Sequence, residues 1–175
     1  MRIPTNEEYD QMVKTTGCED EKIHWANMYS WVCDAKNEHQ LSSTYRAVRG
    51  YYSARYWRNL TATHQYVDVG FRPAFELLDV ETLAPQGDLS IIGTLYMDGL
   101  PVEVPQKADK SENIVKYIPG AKLEVRPSLG DPAYIITGFR VGNAVISDRV
   151  ILNQISYEEI EKAIKTKGRY CENPN

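Results

Sequence analysis

The residues with the most chemistry in them fall between Arg46 and Arg72. Five arginines, Arg46, Arg49, Arg55, Arg58 and Arg72, are set there against a single acid, Asp68. Tyr51, Tyr52, Tyr56, Trp57 and Tyr66 are interleaved with them, alongside Asn59 and His64. Rings with a polar tip give large contact area at small entropic cost, and arginine adds a planar donor fork. Tyr, Trp and Arg are also the types most enriched at binding hot spots. On this reading residues 51–66 form a surface for a macromolecular partner, in the first instance a protein. The contact set is Tyr51, Tyr52, Arg55, Tyr56, Trp57, Arg58, Asn59, His64 and Tyr66. The competing reading packs Tyr52, Tyr56 and Trp57 into a small core, with the arginines reaching outwards. A third reading is a single-stranded nucleic-acid binder, because bases stack on aromatic faces and arginine meets phosphate. A net charge of −4 over 175 residues weighs against non-specific nucleic-acid binding by the whole chain.

Other chemistry is thinner. Cys18, Cys33 and Cys171 are an odd, scattered set, which predicts reduced thiols rather than a disulfide framework or a paired-cysteine zinc site. His24, Cys33 and Asp34 lack the close-spaced ligand pairs of a zinc centre. Glu19, Asp20 and Glu21 lack the alternate spacing of a calcium loop and read as a solvated turn. The chain contains no nucleophile elbow, phosphate-binding loop or dinucleotide fingerprint. No catalytic residue, metal or cofactor is expected. No apolar run approaches the length needed to span a bilayer, so no membrane partner is expected either. The first residues have no apolar signal-like run, and the expected location is the cytoplasm.

These residues need a scaffold. Apolar residues make up 42% and charged residues 25%, ordinary values for a globular chain. Thr5 followed by Glu8 forms a capping box for a first helix carrying Tyr9, Met12 and Val13, which stops at Gly17. Part of IHWANMYSWVCD reads as a strand ending near Asp34. TYRAVRG reads as another, with Tyr45, Ala47 and Arg49 on one face, and YVDVGFRPAFEL as a third, broken by Gly70 and Pro73. Phe71 and Phe75 are assigned to the core and Arg72 to a structural role. LAPQGD, at 83–88, marks a boundary between residues 1–82 and 88–170. Beyond it come a hairpin turning at Asp98-Gly99, a short AKLEVR strand and a second hairpin turning at Gly142-Asn143. Ser156 and Glu159 cap a last helix, which Gly168 would stop, with Ile160 and Ile164 on its docking stripe. The class is α+β with short antiparallel strands.

Four fragments in one order, RIPTNEEYD, YSWVCD, YRAVRGYYSARYW and VGFRPAFE, resemble the core shared by formylglycine-generating enzymes and sulfatase-modifying factors. The resemblance covers residues 2–76. It implies a C-type-lectin-like module, here followed by a β-hairpin-rich half and a terminal helix. The oxidase members of that family carry a cysteine pair after the glycine-rich strand, where this chain reads GYYSARYWRN. The sulfoxide synthases use a histidine cluster, which His24, His39 and His64 do not reproduce. The resemblance is therefore to the non-catalytic branch, which includes the variable proteins of diversity-generating retroelements. There the interval matching residues 51–66 is the binding segment, although it usually ends the chain, whereas about 100 residues follow it here. This implies a recognition protein of phage or mobile-element origin, acting in a bacterial host cell and inhibiting a host defence factor. The alternative within the family is a divergent metal-dependent enzyme.

Overall fold

The computed structural model describes residues 1–18, 20–34 and 44–164. Gly168, His39 and Cys171 lie outside the described residues. The chain is α+β and mostly β, with three α-helices and two sheets among the described residues. Helix α1 spans Asn6–Thr16, and its expected box is present: Glu8 N donates to Thr5 Oγ1 at 3.2 Å and Thr5 N to Glu8 Oε1 at 3.0 Å. Gly17 closes it in the left-handed conformation, at φ 78°. A short helix, α2, spans Asp20–Ile23. At the other end α3 spans Tyr157–Ile164, with Ser156 and Glu159 hydrogen-bonded reciprocally at 3.0 and 3.1 Å.

The first sheet uses β1 (Tyr29–Trp31), β2 (Tyr45–Gly50), β3 (Ser53–Thr61) and β4 (Val69–Phe71), with β12 (Leu152–Asn153) and β8 (Val115–Lys116). Its order is β3-β2-β1-β4-β12-β8, with β1–β4 and β12–β8 parallel and the other pairs antiparallel. The second sheet is antiparallel and runs β5 (Ala74–Glu76), β11 (Ala144–Ser147), β10 (Ile136–Val141), β6 (Leu89–Met97), β7 (Leu100–Pro101). A further strand, β9 (Leu123–Arg126), pairs with the later part of β6. Both expected hairpins form. Asp98 and Gly99 adopt φ of 50° and 80°, and Gly142 sits at 58°, the left-handed values that two-residue turns demand.

The expected break at Gly70 and Pro73 does more than interrupt a strand. It sends β4 into the first sheet and β5 into the second, so VGFRPAFE stitches the two sheets together. Either side of the 83–88 turn contributes to both sheets, because β4 pairs with β12 and β5 with β11. The main core lies between the sheets and α3, around Trp31, Phe71, Phe75, Leu95, Ile136, Tyr157 and Ile160. Trp31 is fully buried, donates Nε1–H to the Ile155 carbonyl at 2.8 Å and meets the Tyr157 ring edge-on at 6.0 Å. A second cluster packs Tyr9, Met12 and Val13 of α1 against Ala47, Ala54, Phe139 and Ile146.

One expectation fails here. Cys33, buried in the main core, is disulfide-bonded, whereas Cys18 is free. Sequence spacing carries no information on which distant cysteines the fold brings together. No helix among the described residues is long and apolar enough to cross a membrane.

Gly70 tests the sheet junction. A side chain at this position would run into Val150 Cγ1 and the Leu152 carbonyl of the neighbouring strand. Gly70→Ala is expected to cost about 3 kcal/mol through overpacking, read as a lowered urea midpoint with an unchanged slope.

Candidate functional site

The site is built on the turn between β2 and β3. Gly50 takes φ 112°, and a Cβ there would approach the Met28 carbonyl to 2.8 Å, so no larger residue fits. Tyr51 follows at φ 69°, a left-handed conformation that is strained for a bulky side chain. The surroundings impose it. Tyr51 N donates to the carbonyls of Trp25 and Met28 at 3.0 and 3.1 Å, and Asn27 N donates back to Tyr51 O at 3.0 Å. The ring stacks on Tyr29 at 4.9 Å between centroids, with 20° between planes.

From that anchor the aromatic rings continue outwards. Tyr52 meets Tyr51 edge-on at 4.8 Å and Tyr56 edge-on at 5.2 Å, and Tyr56 lies 6.3 Å from Tyr29. Tyr52 is 67% exposed and Tyr56 38%, while Tyr29 and Tyr51 are held by the main core beneath. Arg58 is exposed and lies near enough to the Tyr29 hydroxyl to act on its ionisation. Burial pushes that hydroxyl's pKa up and Arg58 pulls it back. The result is a four-ring ledge with a cation beside it, rooted in the core and open to solvent at its outer half.

The structure does not gather all nine expected contact residues on this ledge. Strand alternation puts Tyr56 and Arg58 on one face of β3 and Trp57 and Asn59 on the other. Trp57 packs half-buried against the α1 cluster, matching the competing reading for that residue. Arg55 is fully exposed and lies beside the Cys18 thiol, with Asp10 of α1 also holding its charge. His64 and Tyr66 lie beyond the far end of β3. Their rings meet edge-on at 4.4 Å, and Tyr66 Oη accepts from Thr61 N at 3.1 Å. Tyr66 packs inwards on the main core, 6.3 Å from the Trp31 ring, rather than among the exposed rings of the ledge.

Two buried arginines hold the ledge in place. Arg49, 4% exposed, donates Nε–H to the Ala54 carbonyl at 2.6 Å across the turn. Its Nη1 reaches α1, at Asn6 Oδ1 (2.9 Å) and Asp10 Oδ1 (2.7 Å). Arg72 has the structural role expected of it. At 2% exposure it donates to Ser30 Oγ at 3.2 Å, to the Ile23 carbonyl, and to the His24 carbonyl at 2.9 Å. Phe71 and Phe75 are core, as expected.

Sequence reasoning missed Tyr29, the ring at the root of the ledge. Its signal was present in the aromatic run around MYSW, but nothing local says which of those rings pairs with Tyr51. It also missed a groove of about 880 Å³ in the second half of the chain, lined by residues including Val104, Pro105, Pro132, Ile135 and Arg149. Arg149 is engaged there with Asp148 and with the carbonyls of Pro105 and Gln106. Among the described residues no group of three His, Cys, Asp or Glu side chains gathers, and His24, Cys33 and Asp34 do not converge. No family model, curated protein or solved structure matches the chain.

Scaffold and ledge respond differently to truncation. Arg49→Ala removes a buried hydrogen-bond network and is expected to cost about 2–4 kcal/mol. Tyr52→Ala, at an exposed position, is expected to stay within about 0.5 kcal/mol. Urea denaturation of the two variants beside the parent protein checks the contrast.

Proposed function

We propose that the protein is a non-catalytic recognition module that binds a protein partner through the tyrosine ledge and its arginines. The observation that carries this reading is the ledge itself: Tyr29, Tyr51, Tyr52 and Tyr56 in mutual ring contact, with exposed Arg58 against them. Rings already locked against one another lose little freedom when a partner covers them, so more of the contact energy appears as affinity. Tyrosine hydroxyls and the Arg58 fork supply the directional bonds that orient a partner.

The family resemblance of residues 2–76 supports a C-type-lectin-like reading of the first half and a phage or mobile-element origin. Within that setting we propose that the partner is a host defence factor and that binding restrains it, inside a bacterial cell.

The test is capture of binding proteins from the native host, followed by affinity measurement with purified components. Tyr56→Ala combined with Arg58→Ala is expected to weaken binding at least 100-fold, the range of two hot-spot residues, with the unfolding midpoint nearly unchanged. Equal affinity in parent and variant contradicts the reading. Capture of single-stranded nucleic acid instead, with affinity falling steeply as salt rises, replaces it with the nucleic-acid alternative. Stoichiometric iron, copper or zinc in the purified protein replaces it with the enzyme one.

A further inference from the structure

Arg58 differs from the other arginines of its interval in what it faces. Arg49 is paired with Asp10, and Arg72 is buried on a hydroxyl and two carbonyls. Arg55 lies beside the Cys18 thiol in the field of Asp10, and Arg46 sits over the Tyr157 ring at 5.0 Å. Arg58 faces the ledge. Val48 of β2 pairs with Trp31 on one side and with Arg58 on the other. Tyr29 lies two residues before Trp31 and Tyr56 two before Arg58, so strand alternation sets these side chains on one face of the sheet. The Tyr29 and Tyr56 rings are 6.3 Å apart, and Tyr52 meets Tyr56 at 5.2 Å. Arg58, Tyr56 and Tyr52 all lie near enough to the Tyr29 hydroxyl to act on its ionisation. Burial keeps that hydroxyl protonated at neutral pH, so it can donate.

Among the described residues no carboxylate lies within ion-pairing distance of the exposed Arg58. Asp68, the one acid of the interval, meets Tyr29 through its backbone carbonyl, which accepts from Tyr29 N at 2.7 Å. The wider charge is divided in the same way. Five arginines and one aspartate make +4 within residues 46–72, in a chain of −4, so the other residues carry −8. A long polyanion lying across the protein meets that −8, whereas a short acidic segment held at the ledge meets the positive interval. A cationic group is turned away by Arg58. An arginine fork takes a carboxylate bidentately, in charge-assisted bonds about twice as strong as neutral ones. Phenol hydroxyls beside the fork can donate to the same oxygens.

We propose that the ledge recognises a short acidic segment of a protein partner, seating an Asp or Glu carboxylate on the Arg58 fork beside the tyrosine hydroxyls, while a neighbouring apolar side chain covers the Tyr52 and Tyr56 rings. This rests on the reading of the ledge as the contact surface and adds the charge of what it contacts. The division of labour follows from the two kinds of group present. The rings supply contact area at little entropic cost, and the unanswered cation selects the sign of the partner and fixes its register.

A random-peptide display library selected on the immobilised whole chain tests this without knowledge of the partner. Selected peptides are resynthesised and titrated against the parent protein, Arg58→Glu, Tyr52→Ala and Lys122→Glu, each variant first checked for a parent-like urea midpoint. The selected sequences are expected to be enriched in Asp and Glu over the starting library. They should bind Arg58→Glu at least about 100-fold more weakly, since like charges brought together at an interface repel strongly. Lys122→Glu makes the same change in net charge beside the Asp98 turn of the second sheet, and should bind them as the parent does. Peptides that lose affinity in Tyr52→Ala but carry no excess of acid overturn this proposal and leave the ledge reading standing. Peptides that bind Tyr52→Ala and Arg58→Glu as tightly as the parent overturn both. A preference for lysine-rich sequences, tighter binding of oligo-dT than of any selected peptide, or a library that yields no binder also overturns the proposal.

Discussion

A guanidinium shut inside the protein, that of Arg49, organises everything that faces outwards near it. Its Nε–H closes the β2–β3 turn on the Ala54 carbonyl, and its Nη1 ties that turn to the first helix. Arg72 does the equivalent work from β4, gripping Ser30 and the 23–24 segment. Charges so deep are tolerated only when their donors are matched and their field is met. The backbone of the turn is therefore fixed by the geometry of two forks, and Tyr51 is forced into a conformation it would not choose. A contact surface gains from such rigidity, because less ordering remains to be done when it is covered.

The rest of the fold gives those arginines somewhere to be buried. Trp31 and Phe71 fill the floor between the sheets, and α3 closes over them through Tyr157 and Ile160. The chain segment 69–76 crosses from one sheet to the other and carries Arg72 at the crossing. Position 70 must then be glycine, because β12 presses directly on it. Ledge, clamp and sheet junction are thus one continuous arrangement rather than a loop hung on an independent core.

What could be read in advance was what local chemistry dictates. The capping boxes at Thr5 and Ser156, the turns at Asp98-Gly99 and Gly142-Asn143, and the break at Gly70–Pro73 all follow from side-chain or backbone demands within a few residues. The two-residue strands β8 and β12 left no such trace, since nothing in their own sequence distinguishes them from loop. Of the exposed rings, Tyr52 and Tyr56 fall inside the aromatic and arginine-rich interval 51–66, whereas Tyr45 lies outside it. The composition of that interval did not resolve which way each side chain points, because the irregular pairing between Arg49 and Gly50 of β2 and residues 53–57 of β3 resets the alternation. Trp57 therefore turns to the helix, and His64 and Tyr66 fall at the other end of the strand. Tyr29 belongs to the site through contacts across the fold, which spacing along the chain cannot carry.

The central claim is that the clamp holds a solvent-facing ledge whose rings are exposed by design of the fold and not by fraying. Hydroxyl-radical footprinting with residue-level mass spectrometry measures this directly on the free protein, in the parent and in Arg49→Lys, which keeps the charge but loses the fork. The account predicts that Tyr52 and Tyr56 of the parent react many times faster than buried Tyr9 and Tyr157, and that Arg49→Lys raises the reactivity of Tyr51 and Tyr29 as the stack loosens. Tyr52 and Tyr56 as protected as Tyr9 in the parent, or a pattern unchanged in Arg49→Lys, would contradict it.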